Sequence, residues 1–454
     1  MLAGSLRALA LLVFLSAPLS AGEAWTSFQN GGRLDLNETL AAPEGSPFGP
    51  QLWSAKIRGY GQSSPVLWKE KVFVTSIEGP QRDDYHIAAF DIANGNQLWE
   101  TVWRNPSPAE STSYISRAAS TPAVDENGLV CFLEGGLVVA LNHDGNMRWF
   151  RNLVLEYGAI DSRHGVSASV EQQADRVFIW VERATDPYVL AIDKATGKDL
   201  WKVPGAQGTS WSSPRLVPVD GGDHLVLSAV GSLTGLDPKS GELLWRLEGI
   251  VGNSTPTPIP LGGGRFLIGA TDGRGEGPAA GKPAESNGVV AIRKNSEGKW
   301  NAEYVWRSKR GTSSFGSPIA AGGSAYLVNR TGVLYCLDLE TGEERYVERT
   351  PESVWCTPLA DKQSVILFGK GGTISAISKG PEFKSLGSMK LWTDEPPMEP
   401  APPPKPAAEG RGGPPGPPSG PTLYGVAIAD GKLFARRGET LYCLRYGASS
   451  ESAR

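Results

Sequence analysis

The chain has 454 residues and a net charge of −4, with 56 glycines and 35 prolines. No stripe of basic residues occurs in the sequence. The chain therefore lacks the positively charged surface with which nucleic-acid-binding proteins contact phosphates. The high share of glycine and proline favours many short strands joined by tight turns.

The first 21 residues have the pattern of a secretory signal peptide. Arg7 precedes the apolar run 8–15, and small residues with Pro18 follow up to Ala21. This run is too short for a stable membrane span, so an uncleaved anchor is the less favoured alternative. No cysteine precedes Cys131, which argues against a lipid-modified cysteine at the junction. We predict cleavage, an N-terminal extension over 22–50, and a soluble mature chain in the periplasm or outside the cell.

A turn motif recurs along the chain. Asp or Asn ends an apolar strand, a glycine follows, and an aromatic residue comes four positions after the glycine. The copies are Asp91-Gly95-Trp99, Asn142-Gly145-Trp149, Asp193-Gly197-Trp201, Asp237-Gly241-Trp245 and Asp338-Gly342-Tyr346. Glycine supplies the positive φ of a tight hairpin, and the constant spacing places each ring on the same face of its strand. We predict that these rings pack against the neighbouring sheet.

A second motif, small residues followed by proline, opens each repeat. It occupies residues 63–65, 120–122, 212–214, 254–256, 316–318 and 356–358, with weaker copies at 167–169 and 425–427. Small side chains suit innermost strands that converge on one axis. Alternating runs such as 71–75, 176–180, 324–328 and 432–435 predict the second strands. The sequence therefore predicts an all-β, eight-bladed β-propeller with four-stranded antiparallel blades over residues 51–446.

The two ends of this region complement each other. The last repeat stops after 440–444 without an outer strand, whereas 51–57, with Trp53, reads as an outer strand that precedes the first repeat. We predict that this N-terminal strand closes the last blade and leaves no open seam. Two insertions, 271–287 and 395–421, are predicted to be loops that bury no core; the second is Pro-rich and predicted to be disordered. Residues 447–454 are a C-terminal tail.

Cysteines and histidines show no metal or redox pattern. Cys131, Cys336, Cys356 and Cys443 are far apart, and most lie in apolar runs that predict buried thiols, although an oxidising compartment would permit a disulfide. His86, His143 and His224 are assigned to turns or strand edges and His164 to a loop, so we interpret them as surface residues. No metal site and no catalytic residue is predicted.

The residues just before each inner strand are the candidate ligand-binding residues, because they would ring the mouth of the central channel. They are Tyr60, Gln62, Arg117, Arg163, His164, Trp211, Asn253, Phe315, Trp355 and Tyr424. Aromatic rings beside arginines suit a peptide or a planar anion. Alternatively, the rings only seal the channel against water.

The strand starts and the segment Leu-Tyr-Cys-Leu-Asp-Leu-Glu-Thr-Gly at 334–342 resemble the PQQ-like repeat of quinoprotein-alcohol-dehydrogenase-like propellers, over about residues 50–446. The resemblance implies either a dehydrogenase that binds pyrroloquinoline quinone and calcium on the axis, or a BamB-like scaffold without cofactor or catalysis. The chain lacks the adjacent cysteine pair that is typical of the dehydrogenases and has no CxxCH haem motif.

We therefore predict a monomeric scaffold without a cofactor, whose partners are other envelope or exported proteins. It would not bind nucleic acid and would have no transmembrane segment in its mature form. A dehydrogenase that uses pyrroloquinoline quinone and calcium, and an extracellular polysaccharide-binding propeller, are the alternatives.

Overall fold

Eight antiparallel sheets form the blades of a β-propeller in the computed structural model, as the sequence predicts. The structure describes residues 24–36, 49–110, 115–162, 164–252, 255–271, 282–392 and 422–446. The predicted signal peptide, the Pro-rich insertion 395–421 and the tail 447–454 lie outside these ranges. Within them, no helix has the length and apolarity needed to cross a membrane.

In each blade the strands follow one another in chain order from the axis outward. Blade 8 is the exception, because its outer strand precedes blade 1 in the sequence. The innermost strands of blades 1 to 8 are β3 (Val66–Trp68), β7 (Ala123–Asp125), β11 (Glu171–Gln173), β15 (Arg215–Val219), β19 (Ile259–Gly262), β23 (Ile319–Ala321), β27 (Leu359–Ala360) and β31 (Leu423–Ala429). The second strands are β4 (Lys71–Glu78), β8 (Gly128–Leu133), β12 (Arg176–Val181), β16 (Gly222–Ala229), β20 (Arg265–Ile268), β24 (Ser324–Val328), β28 (Ser364–Phe368) and β32 (Lys432–Arg437).

The third strands are β5 (Asp84–Asp91), β9 (Leu137–Leu141), β13 (Tyr188–Asp193), β17 (Gly231–Leu236), β21 (Gly288–Lys294), β25 (Val333–Asp338), β29 (Thr373–Ser378) and β33 (Thr440–Arg445). The outer strands are β6 (Gln97–Arg104), β10 (Met147–Asn152), β14 (Asp199–Pro204), β18 (Leu243–Ile250), β22 (Trp300–Arg307), β26 (Glu344–Arg349), β30 (Ser385–Lys390) and β2 (Gln51–Lys56). Outside the blades lie helix α1 (Leu153–Tyr157) and the 3₁₀ turns Phe28–Gly32 and Pro283–Ser286, while β1 (Ala24–Trp25) adds a fifth strand to blade 1.

Burial follows the position of a strand in its blade. All residues of β8 and β9 are buried, because neighbouring blades cover both faces of the middle strands. The outer strand β2 alternates between exposed and half-buried residues. This is why middle strands read as continuous apolar runs and outer strands as alternating ones.

The N-terminal strand closes the ring, as predicted. β2 pairs antiparallel with β33, with Gln51 opposite Leu444 and Lys56 opposite Thr440. The two ends of the propeller are therefore joined by a ladder of hydrogen bonds, and β33 has no free edge.

Five outer-strand tryptophans each join their blade to the next, which confirms the structural role predicted for them. Trp99 Nε1 donates to the carbonyl of His143 in the next blade at 2.9 Å, and its ring lies over the turn glycine Gly145, where a Cβ would approach it to 2.8 Å. Trp53, Trp149, Trp201 and Trp306 repeat this contact. Trp245 differs, because its indole donates to His224 Nδ1 of its own blade at 2.9 Å.

A ring of hydroxyl groups connects the inner strands. In each of blades 2 to 7 a Ser or Thr at the start of the inner strand accepts a hydrogen bond from the amide of the equivalent residue in the preceding blade. In blade 5 this residue is Thr257, before Pro258, two positions after the one that the predicted copy 254–256 gives. The bonds of 2.9–3.0 Å run from Ser64 to Thr121, Ser169, Ser213, Thr257, Ser317 and Thr357 in turn. Blade 8 has Gly425 at this position, where a Cβ would lie 2.0 Å from Ser64 Oγ. The motif therefore provides hydrogen-bond acceptors as well as small volume.

Two predictions about individual residues are wrong. His86 and His224 are buried, because they lie inside β5 and β16 and neighbouring blades cover both strands. The insertion 271–287 does bury residues at its end, where the 3₁₀ turn Pro283–Ser286 leads into the fully buried Asn287. Asn287 can be buried because its Oδ1 accepts from the N–H of Ala270 and its Nδ2 donates to the carbonyl of Ala270. All four cysteines are buried free thiols.

Candidate functional site

Eight of the ten predicted mouth residues can be placed; Arg163 and Asn253 lie outside the described residues. Three aromatic rings from blades 6 to 8 are in contact. The rings of Phe315 and Trp355 are 4.6 Å apart between centroids and meet edge to face, and those of Trp355 and Tyr424 are 6.2 Å apart. Tyr424 lies inside β31 and not before it, because β31 begins at Leu423. Phe315 is 37% exposed, and Trp355 and Tyr424 are half-buried, so the cluster is open to solvent chiefly at Phe315.

Tyr60, Gln62 and Arg117 form the next part of the mouth, at blades 1 and 2. The guanidinium carbon of Arg117 lies 3.6 Å from the centroid of the Tyr60 ring. The backbones of Gln62 and Arg117 are joined by an N–H to carbonyl bond of 3.0 Å, and Arg117 N–H donates to Gln62 Oε1 at 2.8 Å. Burial raises the pKa of Tyr60 to about 12, so this ring is neutral at physiological pH.

His164 and Trp211 continue the mouth at blades 3 and 4. Their ring centroids are 5.6 Å apart. Trp211 Nε1 donates to the carbonyl of Gly165 at 3.1 Å, and Ser116 N–H, from the loop of Arg117, donates to the carbonyl of His164 at 2.9 Å. Tyr424 in turn is close enough to Tyr60 to raise its pKa. The eight described residues thus form one arc from blade 6 through blade 8 to blade 4.

Two buried carboxyl groups hold loops of this arc, and neither was predicted from the sequence. Glu182 accepts from Ser210 N–H, Ser210 Oγ and Trp211 N–H at 2.7, 2.7 and 3.0 Å. Trp211 has a φ of +61°, a left-handed conformation that is strained for a non-glycine residue. Glu134 holds Ala118, whose φ is +46°, through its N–H at 2.6 Å. Burial raises the pKa of each carboxyl group to about 7.

The N-terminal extension fills the axis beneath the mouth. We call residues 24–36 the axial plug. It pairs with β3 through Trp25 and Leu67, accepts from Val124 N–H of blade 2 at the carbonyl of Thr26, and exchanges backbone hydrogen bonds with Ala360 of blade 7. Gln29 of the plug also reaches Ser317 in blade 6, which lies opposite blade 2. One segment that crosses the axis therefore connects blades on opposite sides of the ring.

A buried polar network anchors the plug. Gln29 Nε2 donates to Ser317 Oγ at 2.9 Å and Thr357 Oγ1 at 2.8 Å, which are members of the hydroxyl ring. Arg215 Nη2 donates to Gln29 Oε1 at 3.1 Å, and Arg215 also pairs with Glu171 at 3.0 Å. Every charged group in this network has an opposite charge or a hydrogen bond, as burial requires.

The quinone cofactor implied by the resemblance to dehydrogenases would lie on this axis. The space between the plug and the mouth, lined by Trp25, Phe28, Cys356 and Tyr424, is about 10 Å³. That is room for about one water molecule, so a flat tricyclic quinone does not fit between plug and mouth. Among the described residues, no group of three or more His, Cys, Asp or Glu side chains is arranged to hold a metal ion.

Comparison with known proteins agrees with the fold. A family model described as outer membrane protein assembly factor BamB matches residues 38–180, 185–277 and 286–440. The outer membrane protein assembly factor BamB of Burkholderia pseudomallei is 25% identical over 295 residues, which are 64% of this chain. The match covers 66% of that relative, slightly less than two thirds of its length.

Solved structures show the same architecture. BamB from Moraxella catarrhalis has a TM-score of 0.58 and 12% identity, with 88% of this chain and 98% of that chain covered. A europium-containing methanol dehydrogenase has a TM-score of 0.56 and 11% identity, with 92% and 91% covered. At these identities the likeness establishes the fold and does not distinguish a scaffold from an enzyme.

Proposed function

Since the chain belongs to the family of the outer membrane protein assembly factor BamB, we propose that it is an exported, non-catalytic scaffold that binds a segment of another envelope protein at its mouth. The proposal is supported by the arrangement along the axis, where the plug fills one part and the mouth above the plug is open. The plug occupies the axis with the chain's own residues, while Phe315, Trp355 and Tyr424 remain at the surface above it.

The open part has the chemistry of a protein-binding surface. Aromatic residues dominate the binding energy of many protein interfaces, because they bury large areas with few rotatable bonds. Here the backbone bridge between Val354 and Gly369 holds the segment of Trp355, and buried Glu134 and Glu182 hold the loops of Arg117 and Trp211 further along the arc. A preorganised surface loses less conformational entropy on binding, which favours recognition of a partner segment.

Site-specific photocrosslinking tests this proposal. A benzophenone amino acid would replace Phe315 at the mouth or, as a matched control, Val305, which is 41% exposed on outer strand β22. We expect the probe at position 315 to crosslink a defined envelope protein, and the additional substitution Trp355→Ala to lower the yield at least tenfold. The probe at position 305 should give no such product.

The same crosslinked protein from both positions, or a yield unaffected by Trp355→Ala, would contradict the proposal. Two other results would support the alternatives. Stoichiometric uptake of pyrroloquinoline quinone with calcium and dye reduction by an alcohol would indicate a dehydrogenase. Binding on a glycan array that is lost in Trp211→Ala would indicate a polysaccharide-binding propeller.

A further inference from the structure

One half of the mouth carries cations that have no carboxylate partner among the described residues. We call Lys370, Trp355, Tyr424, Tyr60, Arg436 and Arg117, from blades 7, 8, 1 and 2, the cationic sector. Lys370 Nζ lies 4.7 Å from the Trp355 ring centroid, and Arg117 lies over Tyr60. These cation–π contacts only partly replace the water that the cations lose.

Arg436 is the most unusual of the three cations. It is 2% exposed, yet its guanidinium meets only neutral acceptors: Nε donates to the carbonyl of Gly438 at 3.1 Å and Nη1 donates to Ser63 Oγ at 2.7 Å. Nη2 has no hydrogen-bond partner in the described part of the chain. Burial lowers the pKa of Arg436 to about 9, so the group is still charged at physiological pH. An unpaired buried charge is destabilising, and its field acts across a low-dielectric region.

The carboxylates around the mouth do not neutralise this sector. Glu182 binds backbone amides of blade 4, outside the sector. Glu134 lies in blade 2 beside Arg117, but it binds the N–H of Ala118, and no ion pair joins it to Arg117 in the described part of the chain. Glu352 binds Lys390 at 2.6 Å. The exposed Glu439 faces Tyr60 from blade 8, and within the described residues it forms no ion pair with Lys370, Arg117 or Arg436. A positive region in a protein of net charge −4 is therefore concentrated at the mouth.

We infer that the cationic sector binds an extended acidic segment of the partner protein, in which carboxylates alternate with aromatic or apolar residues. The inference rests on the proposed function and specifies the partner chemistry. Carboxylates of such a segment would pair with Arg117 and Lys370 through charge-assisted hydrogen bonds in the field of Arg436. Its apolar side chains would lie on the rings of Trp355, Tyr424 and Tyr60.

Fluorescence polarisation with synthetic peptides tests the inference on the full mature chain. The probe is a labelled ten-residue peptide of alternating Glu and Phe, and the control peptide has Gln in place of every Glu. We expect the acidic peptide to bind at least tenfold more tightly than the neutral one, and its affinity to fall as salt rises from 50 to 300 mM.

Variants locate the site. Arg117→Gln combined with Lys370→Gln should weaken the acidic peptide about tenfold, whereas Arg117→Lys with Lys370→Arg should keep its affinity within about threefold. Lys299→Gln is the matched control, because Lys299 lies in the β21–β22 turn at the opposite end of the propeller and its side chain is 77% exposed. It should bind like the wild type. Unfolding curves of all variants confirm that each is folded.

Equal affinity for the acidic and neutral peptides, or unchanged affinity in the double Gln variant, would overturn the inference. Crosslinking from position 315 separates this failure from that of the proposed function. If the partner crosslink persists in the double Gln variant, the scaffold function stands and the charge preference is wrong. If position 315 gives no specific crosslink in the wild type, the proposed function itself fails.

Discussion

Glu182 shows how a single buried group can shape a binding surface that it does not enter. Its carboxylate binds two consecutive amides and thereby stabilises the positive φ of Trp211. Glu134 in blade 2 plays a similar part with one hydrogen bond, because it accepts from the N–H of Ala118, whose φ is also positive. Strained backbone is retained where the surroundings determine it, and such positions are frequent at functional sites. Glu182, which lies beneath the loop of Trp211, therefore holds the indole of Trp211 at the mouth.

These two carboxyl groups should make stability depend on pH. Their pKa values are near 4.5 in the unfolded chain and about 7 in the fold. Between these values the unfolded chain releases protons that the folded chain retains, so the stability that these two groups contribute is fully present below pH 4.5 and is lost as pH rises to about 7. Each group contributes on the order of 3 kcal/mol to this fall. We expect Glu182→Gln to reduce the decrease in the free energy of unfolding between pH 5 and pH 8, measured by chemical denaturation.

Glu340→Gln is the control for that measurement, because the side chain of Glu340 is 65% exposed in a hairpin turn. It should keep the pH dependence of the wild type. An identical slope in Glu182→Gln and the wild type would show that Glu182 is ionised at both pH values.

The positions of the mouth residues could be predicted from sequence because all of those described except Tyr424 precede an inner strand whose start is marked by a motif. Glu134 and Glu182 could not, because a glutamate after an apolar strand also suits an exposed loop. Only the fold shows that the loop of Ser210 and Trp211 covers Glu182. Arg436 could not be predicted for a related reason. The alternating run 432–435 indicates a strand, but it does not show that the next residue lies between blades 8 and 1.

At the level of strands, the hydroxyl ring explains why the repeat begins as it does. Smallness alone would allow alanine or glycine, but an amide on each inner strand needs an acceptor from the next blade. The ring supplies it at six consecutive junctions. A buried amide without a partner is destabilising, so the hydroxyl groups join the blades close to the axis.

Ser213→Ala tests the ring at one junction. The substitution leaves the N–H of Ser169 without its acceptor, so we expect the free energy of unfolding to fall by about 1–3 kcal/mol. Ser120→Ala is the matched control from the same motif, because Ser120 Oγ is buried without a hydrogen-bond partner among the described residues. It should change stability by less than about 0.5 kcal/mol. Equal losses in the two variants, measured by urea denaturation, would mean that only packing matters here.

Strand positions were predictable because a strand buried on both faces gives a continuous apolar run in the sequence. A strand buried on one face gives an alternation of apolar and polar residues. The axial plug gives neither pattern: residues 24–36 mix Trp25 and Leu34 with polar residues in irregular backbone. Their environment is created by inner strands from blades 1, 2 and 7, which are distant in the sequence. The plug is therefore a product of ring closure that no local pattern could show.

For the whole molecule, the pairing of β2 with β33 removes the open sheet edge that blade 8 would otherwise have. β33 would otherwise expose Thr440–Arg445, a buried apolar strand, and an open edge of this kind pairs with other chains. β2 and the plug lie on the same N-terminal segment, so one stretch of chain both closes the ring and fills its axis. Stability of the mouth thus depends on residues that precede the first blade.

Deletion of residues 22–57 should therefore convert the propeller into an associating species. We expect the truncated chain to elute earlier than the full mature chain in size-exclusion chromatography and to unfold at a lower temperature, because β33 and the inner strands lose their partners. A synthetic peptide of residues 24–57 should restore the elution volume, since it supplies both β2 and the plug. The same peptide with Trp53→Ala should restore it less well, because Trp53 donates to the carbonyl of Ile92 in blade 1 at 3.1 Å. A truncated chain that elutes and melts like the full one would show that the eight sheets hold together without this closure.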